Sequence, residues 1–273
     1  MMNHATSEPR DAPGAFRAAY DRRAQAYATV VEPTFAPTHR RIVELAEIVP
    51  DVQLLDVATG TGGVAREAAS LGARVTGIDV SSGMLEIARQ RSPAGIVYLL
   101  AEAAELPFPD GSVDVITCGF GLSHMPHAND VLEEVRRVLR PRGRLVASCW
   151  GPQGFNPSRD AVQARLARYL PEWRDPFAAI TTREVWADAQ RGLRILRRAG
   201  FERVQVATER LCGEFAGPEQ ALARAVAGTV AGAMADAIQD DELGRFRAEA
   251  LAAIEATGDL AWWDLVNYYR AWP

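Results

Sequence analysis

The chain predicts an α/β fold: a doubly wound, mostly parallel, seven-stranded sheet with helices on both faces and helical lid insertions. Three observations predict it. From residue 53 to residue 150, short runs rich in Val, Ile and Leu alternate with helix-forming runs, and such alternation builds a parallel sheet. The first apolar run ends in a glycine turn that opens directly into a helix, Leu54-Leu55-Asp56-Val57-Ala58-Thr59-Gly60-Thr61-Gly62-Gly63. In open sheets of this kind ligands sit at the carboxyl ends of the strands, beside such a turn. After Trp150 the alternation stops, and Ala-rich helices and two further strands follow.

The elements read in order as follows. Residues 15–28 carry helical spacing with Phe16, Ala19, Tyr20 and Tyr27 on related faces, the Pro-containing stretch 32–37 breaks it, and 38–49 is a second helix stopped by Pro50. Strands are expected at 53–57, 74–79, 96–100, 113–118 and 144–150, with helices at 63–70, 83–91 and 129–139 between them. A helix follows at 158–170, another at 182–199 ending at Gly200, then a strand at 203–207, Ala-rich helices at about 219–238 and 242–256, and an aromatic strand at 261–271. Residues 1–14 form a flexible N-terminus, and 15–273 form a single domain with N-terminal helices over 15–49 and lid helices at 158–170 and 219–256. Surface decoration or a homodimer interface is the other reading of those last helices.

At 273 residues and 48% hydrophobic, the chain can bury a full core. Its net charge of −5 argues against nucleic acid as a partner. No apolar run is long enough to span a bilayer and the first residues lack an apolar signal core, so the expectation is a cytoplasmic protein with no membrane partner. Cys118, Cys149 and Cys212 show no metal spacing and no disulfide framework, so no metal is expected. All charged basic side chains are Arg, and the pairs Arg22-Arg23, Arg40-Arg41, Arg136-Arg137 and Arg197-Arg198 read as solvated helix faces.

The glycine turn admits two cofactors. Gly60-x-Gly62-x-x-Ala65 fits the dinucleotide fingerprint. Asp56-Val57-Ala58-Thr59-Gly60-Thr61-Gly62 also fits an acid-first pattern, [DE]-x-[GAC]-x-G-x-G. The acid discriminates: a carboxylate before the loop repels a pyrophosphate, whereas it suits a ligand carrying an ammonium and a sulfonium. A second acid, Asp79, ends the next strand, where this architecture presents a carboxylate to ribose hydroxyls.

This run resembles the first motif of the class I S-adenosylmethionine-dependent methyltransferases, a Rossmann-like fold. Within them it resembles the branch that includes the ubiquinone/menaquinone C-methyltransferases and many small-molecule methyltransferases. The segment Gly77-Ile78-Asp79-Val80-Ser81-Ser82-Gly83-Met84-Leu85 resembles the family's second motif. Ala101-Glu102-Ala103, followed by Glu105-Leu106-Pro107-Phe108-Pro109-Asp110, resembles its third, with Glu102 for the usual Asp and Ala101 for the usual Gly. Leu139-Arg140-Pro141-Arg142-Gly143 resembles the turn before its fifth strand, with Arg142 at the first Gly. The resemblance implies that Asp56, Ala58, Thr59, Gly60 and Gly62 hold the methionine end of S-adenosylmethionine and that Asp79 binds the ribose diol. It implies that Val80 and Met84 pack on adenine, that Glu102 and Ala103 bond its edge, that the backbone at Cys118 and Gly119 faces the methionine part, and that Tyr27, with Tyr20, closes over the cofactor.

His124 follows the fourth strand and is the candidate general base, since an imidazole near its ordinary pKa can take a proton from a substrate hydroxyl. A histidine bonded to a backbone carbonyl before Pro126 is the alternative. His127 is read as lying near a helix start capped by Asn129 or Asp130. The amino-methyltransferase sequence [DNS]-P-P-[YFW] is absent, which argues against exocyclic amines of DNA bases as acceptors. The implied activity is methyl transfer to an oxygen or carbon of a small organic acceptor, a specialised metabolite or a quinone. The rivals are a protein of the same fold catalysing a non-methylating reaction such as a cyclisation, an NAD(P)-dependent oxidoreductase, and a non-catalytic binding module.

Overall fold

Alternate residues of a strand point to opposite faces of its sheet, and here both faces are buried. Leu54, Val115 and Val146 enter one apolar cluster while their neighbours Leu55, Ile116 and Leu145 enter another. A sheet buried on both sides needs helices on both sides. In the computed structural model, which describes residues 12–178 and 180–273, the sheet has seven strands in the order β3-β2-β1-β4-β5-β7-β6. These are β1 (Gln53–Val57), β2 (Arg74–Asp79), β3 (Val97–Leu100), β4 (Val113–Gly119), β5 (Leu139–Trp150), β6 (Arg203–Glu214) and β7 (Ala261–Trp272). The first five are parallel and β7 is antiparallel to both its neighbours. The strand order reverses between β1 and β4, which opens a crevice at their carboxyl ends. The fold class expected from sequence is the one observed.

Two helices precede the sheet: α1 (Ala12–Ala26) and α2 (Glu32–Leu45). The expected break over 32–37 does not occur. A wide π-helical turn, Tyr27–Val31, joins them, and the Glu32 N–H bonds to the Tyr27 carbonyl five residues back. Pro33 sits in the first turn of α2, where its missing N–H has no helical partner to lose. Residues 1–11, most of the expected flexible N-terminus, lie outside the described residues, and α1 begins at Ala12 rather than Ala15.

The crossover helices are α3 (Gly63–Ser70), α4 (Ser82–Arg91) and α5 (Ala128–Val138). The cap position of α5 is His127, without a side-chain cap, so Asn129 and Asp130 fall inside the helix instead of capping it. β5 begins at Leu139 and not at Arg144: its pairing jumps from Val113↔Leu139 to Val115↔Arg144, and residues 140–143 bulge out. Arg140 anchors that bulge on Asp114 at 2.6 Å.

Beyond Trp150 come α6 (Pro157–Tyr169), α7 (Arg183–Ala187), α8 (Ala189–Arg198), α9 (Pro218–Val226), α10 (Thr229–Asp236) and α11 (Asp240–Thr257). The single helix expected over 182–199 is split at Asp188, whose carboxylate accepts from the Gln190 and Arg191 N–H groups and caps α8. The one expected over 219–238 is split at Ala227 and Gly228. β6 extends to Glu214, well past the expected 203–207, because β7 offers it a continuous antiparallel ladder from Trp272 to Ala261. Helices α6, α9 and α11 share one apolar cluster through Val162, Leu166, Leu222, Phe246 and Ile254.

Candidate functional site

The glycine turn leaves β1 with its backbone in the left-handed region at Ala58 (φ 53°), Gly60 (φ 56°) and Gly62 (φ 84°). At Gly62 a Cβ would also lie 2.5 Å from the Tyr98 hydroxyl, so conformation and space both require glycine there. Asp56 is buried at 1% exposure, and its two oxygens accept from the Thr59 hydroxyl at 2.6 Å and the Thr117 hydroxyl at 2.7 Å. Asp56 therefore ties the turn to β4, the strand across the crevice. Burial raises its pKa to about 6 against the lowering effect of those two hydroxyls.

Asp79 ends β2 facing the same turn. One oxygen accepts from the Gly60 N–H at 2.8 Å and the other from the Ser81 N–H at 2.9 Å. Each oxygen keeps a second acceptor direction, the capacity that a ribose diol needs. Burial pushes its pKa up. Helix α1 braces this corner, since Asp21 accepts from the Ser81 hydroxyl at 2.6 Å and the Gly83 N–H at 2.8 Å. Val80 is half-buried, whereas Met84 is buried in a cluster with Ala24, Ala28 and Ile87, so α1 already covers it. Glu102 is exposed and its carboxylate is paired with Arg17 of α1 at 2.9 Å; Ala103 is half-buried beside it.

A cleft opens over the turn. Of the residues expected from sequence, Tyr27, Asp56, Ala58, Thr59, Gly60 and Gly119 line it, with Phe120 beside them. Glu32 and His39 of α2 line it too, and sequence reasoning missed both. The signal for Glu32 was the Glu-Pro pair, read as a helix break when it opens the first turn of α2. Its carboxylate accepts from the Thr61 hydroxyl and pairs with Arg66 and, at 3.4 Å, with Arg91. The His39 ring lies against Gly63, and burial lowers its pKa to about 4, so it is neutral near pH 7. The lining thus holds two carboxyl groups and no charged base. Burial keeps the Tyr27 phenol protonated.

On the far side β4 delivers Cys118 and Gly119. Cys118 is buried, and burial lifts its thiol pKa to about 12, so it is inert as a nucleophile. Phe120 takes a left-handed conformation (φ 60°) uncommon for a side chain that size, and a 3₁₀ turn, Gly121–His124, follows. Gly121 is pressed so near the glycine turn that a Cβ would lie 2.7 Å from the Ala58 Cβ. His124 ends this turn against the rings of Phe16 and Tyr20, with centroids at 5.3 Å and 6.2 Å. Its Nδ1 is buried with no hydrogen-bond partner among the described residues, so the carbonyl-bonded alternative is not what is observed at that atom. Burial, then the nearby Arg183, lower its pKa to about 4. Next to the cleft Phe120 stacks on Trp150 at 4.4 Å, and Phe35 packs on both, at 4.8 Å and 5.6 Å.

Residues 55–147 match the family model for a methyltransferase domain. With the reversing sheet and the two acid-ended strands around the glycine turn, this defines the class of that segment: residues 55–147 form a methyltransferase domain of the class I S-adenosylmethionine-dependent type. Within that class it resembles the ubiquinone/menaquinone branch. It is 36% identical over 132 residues to the demethylmenaquinone methyltransferase of Renibacterium salmoninarum, covering 48% of this chain and 55% of that protein. It is 36% identical over 140 residues to the ubiquinone/menaquinone biosynthesis C-methyltransferase of Paraburkholderia phymatum, covering 49% of this chain and 57% of that one. The chain spans about half the length of the curated relatives it matches. A solved phosphoethanolamine N-methyltransferase 2 of Haemonchus contortus, bound to phosphomonomethylethanolamine and S-adenosylhomocysteine, shares the fold with a TM-score of 0.57 at 19% identity, covering 94% of this chain and 59% of that one.

Proposed function

We propose that the protein is an S-adenosylmethionine-dependent methyltransferase that moves a methyl group to an oxygen or carbon of a small organic acceptor, quinone-like or a specialised metabolite. The charge of the cleft carries this reading. Glu32 and Asp56 line it, His39 is neutral, and no Arg is among the lining residues. A dinucleotide would bring its pyrophosphate against those carboxyl groups, whereas a sulfonium and an ammonium are attracted by them. The bound cofactor would supply an already activated methyl group.

The chain's own residues have simpler tasks. Asp79 takes the ribose diol with its remaining acceptor directions, and Glu102 and Ala103 face the adenine edge, with Val80 beside it and Met84, covered by α1, packed behind that wall. Ala58 to Gly62 and the backbone of Cys118 and Gly119 form the floor under the methionine end, and Tyr27 covers it. Helices α6 and α9–α11 act as the lid that excludes water. His124 takes the acceptor's proton, its unpaired Nδ1 being an available site. Holding an acceptor in line supplies roughly 7–11 kcal/mol on its own, so a strong base is not required.

The proposed location is the cytoplasm; among the described residues no helix is long and apolar enough to cross a membrane. A homodimer is also proposed. Calorimetric titration with S-adenosylmethionine, S-adenosylhomocysteine and NAD(H) tests the cofactor assignment. Binding of the first two and not the third is expected, and tight NAD binding alone overturns it. Cofactor binding without methyl transfer to any phenol or quinol would point to a non-methylating reaction.

A further inference from the structure

Three arginines of the lid side converge beyond the Phe35–Phe120–Trp150 wall: Arg159 of α6, Arg183 of α7 and Arg224 of α9. The Arg183 guanidinium lies over the Trp150 ring at 5.3 Å and that of Arg224 over the Phe35 ring at 5.3 Å. Among the described residues two carboxylates answer them, both through Arg159: Asp264 at 3.0 Å and the more exposed Asp160 at 3.3 Å. Arg183 and Arg224 form no ion pair with any described residue, and Arg224 has only the Thr34 hydroxyl, at 3.2 Å. The Nη2 of Arg159 is itself buried without a partner. Three cations against two carboxylates leave a net positive patch, although the chain as a whole carries −5. Desolvation lowers the pKa of Arg183 and of Arg224, although Arg183 is exposed by surface area and Arg224 half-buried.

Unpaired charge in a crowded site is unfavourable unless something anionic completes it. A planar guanidinium pairs with a carboxylate through two parallel hydrogen bonds, as it does with a phosphate, and the rings beneath Arg183 and Arg224 offer flat apolar surface to the body of a planar carboxylic acid. We infer that the acceptor is an organic acid, a planar molecule whose carboxylate is bound between Arg183 and Arg224 against Trp150 and Phe35. This rests on the methyltransferase reading and gives the acceptor a charge which a neutral quinone lacks. The Arg159–Asp264 pair stands behind and orients the positive face.

The test uses 2-naphthoate and its neutral twin 2-naphthamide, titrated on the full chain both free and saturated with S-adenosylhomocysteine, with Trp fluorescence as the readout. Naphthoate is expected to bind at least about tenfold more tightly than the amide, with an affinity that falls as salt rises. Arg183→Gln and Arg224→Gln should each remove most of that preference and leave naphthamide unchanged, while circular dichroism reports the fold. Equal affinity for acid and amide, no binding of naphthoate at millimolar concentration, or a preference that survives both substitutions would each overturn the inference. Binding of phenyl phosphate in place of naphthoate would overturn the carboxylate assignment. Failure of S-adenosylhomocysteine to bind would strike the cofactor reading instead, because the free-protein titration stays readable.

Discussion

The floor of the cleft and its roof satisfy their polar groups differently. On the floor, both oxygens of Asp56 are occupied by threonine hydroxyls and both oxygens of Asp79 by backbone N–H groups. These partners come from strand ends and turns within residues 56–117, fixed by the sheet. On the roof, Arg183 and Arg224 lack carboxylate partners among the described residues and Arg159 has a bare Nη2. A floor with its bonds already made binds one cofactor in one pose without reorganising. A roof with unmatched charge selects whatever neutralises it. Fold-level kinship is a property of the floor, and on the inference drawn from the arginine cluster acceptor choice is a property of the roof.

The sharpest way to break that division is at Asp79. Asp79→Ala removes the proposed partner of the ribose diol, and hydrogen bonds to a charged group contribute about 1.5–3 kcal/mol each. Calorimetry should therefore show S-adenosylhomocysteine affinity falling about a hundredfold or more, with naphthoate binding untouched on the roof. An unchanged affinity would refute the ribose assignment.

His124 stands where floor and roof meet, since β4 positions it and Arg183 perturbs it. As a base whose conjugate acid has a pKa near 4, it works at the low end of the usual 10²–10⁴-fold range, so His124→Ala should lower kcat by about 10². The wild-type rate should fall with acid only near pH 4, and that limb should vanish in the variant. A limb near pH 6.5, or one that survives the substitution, would show that His124 is not the titrating base.

Asp56 provides the stability counterpart. Asp56→Ala strands two buried hydroxyls, at about 1–3 kcal/mol each, offset in part by relief of the buried carboxylate; a net loss of about 2 kcal/mol in urea unfolding is expected near pH 5. Its folded pKa of about 6 lies above the unfolded value of 3.8, so the fold prefers the protonated form. Wild-type stability from this group is present below pH 4 and lost as pH rises through 6, a change of about 3 kcal/mol. Asp56→Asn should erase that dependence and gain on the wild type between pH 4 and 7. His39 and His124 act with the opposite sign. Their folded pKa values lie near 4, below the unfolded 6.5, so their contribution is present above pH 6.5 and lost as pH falls toward 4.

These residues also mark what sequence could reveal. The glycine turn, Asp79 and the strand–helix alternation were legible because each is local: a strand, a turn and a helix start lie within ten residues of one another. The role of Asp56 was half legible. Its place in the motif was plain, but its partner Thr117 comes from another strand, and only the register Asp56↔Thr117 brings the two together. The junction of α1 and α2 was misread because Pro33 and Pro37 signal a break when considered alone, whereas Pro33 sits in the first turn of α2 and Pro37 is accommodated inside it. The arginine cluster was invisible. Arg159, Arg183 and Arg224 stand in three separate helices with no common spacing.

Glu32 gives the smallest expected effect and the finest test of the floor. Its carboxylate pins α2 to the turn through Thr61 and Arg66, and to α4 through Arg91. Glu32→Gln keeps an acceptor for Thr61 and loses both ion pairs, so unfolding free energy should change by no more than about 1 kcal/mol, as for other partly exposed pairs. Cofactor affinity should fall further than that loss predicts, by about tenfold, because the substitution also removes one of the two carboxyl groups facing a cationic ligand. The neutral analogue S-adenosylhomocysteine lacks the sulfonium charge and should lose less than S-adenosylmethionine does. If both lose equally, Glu32 acts only as a latch on the turn, and the sulfonium is held by the floor without it.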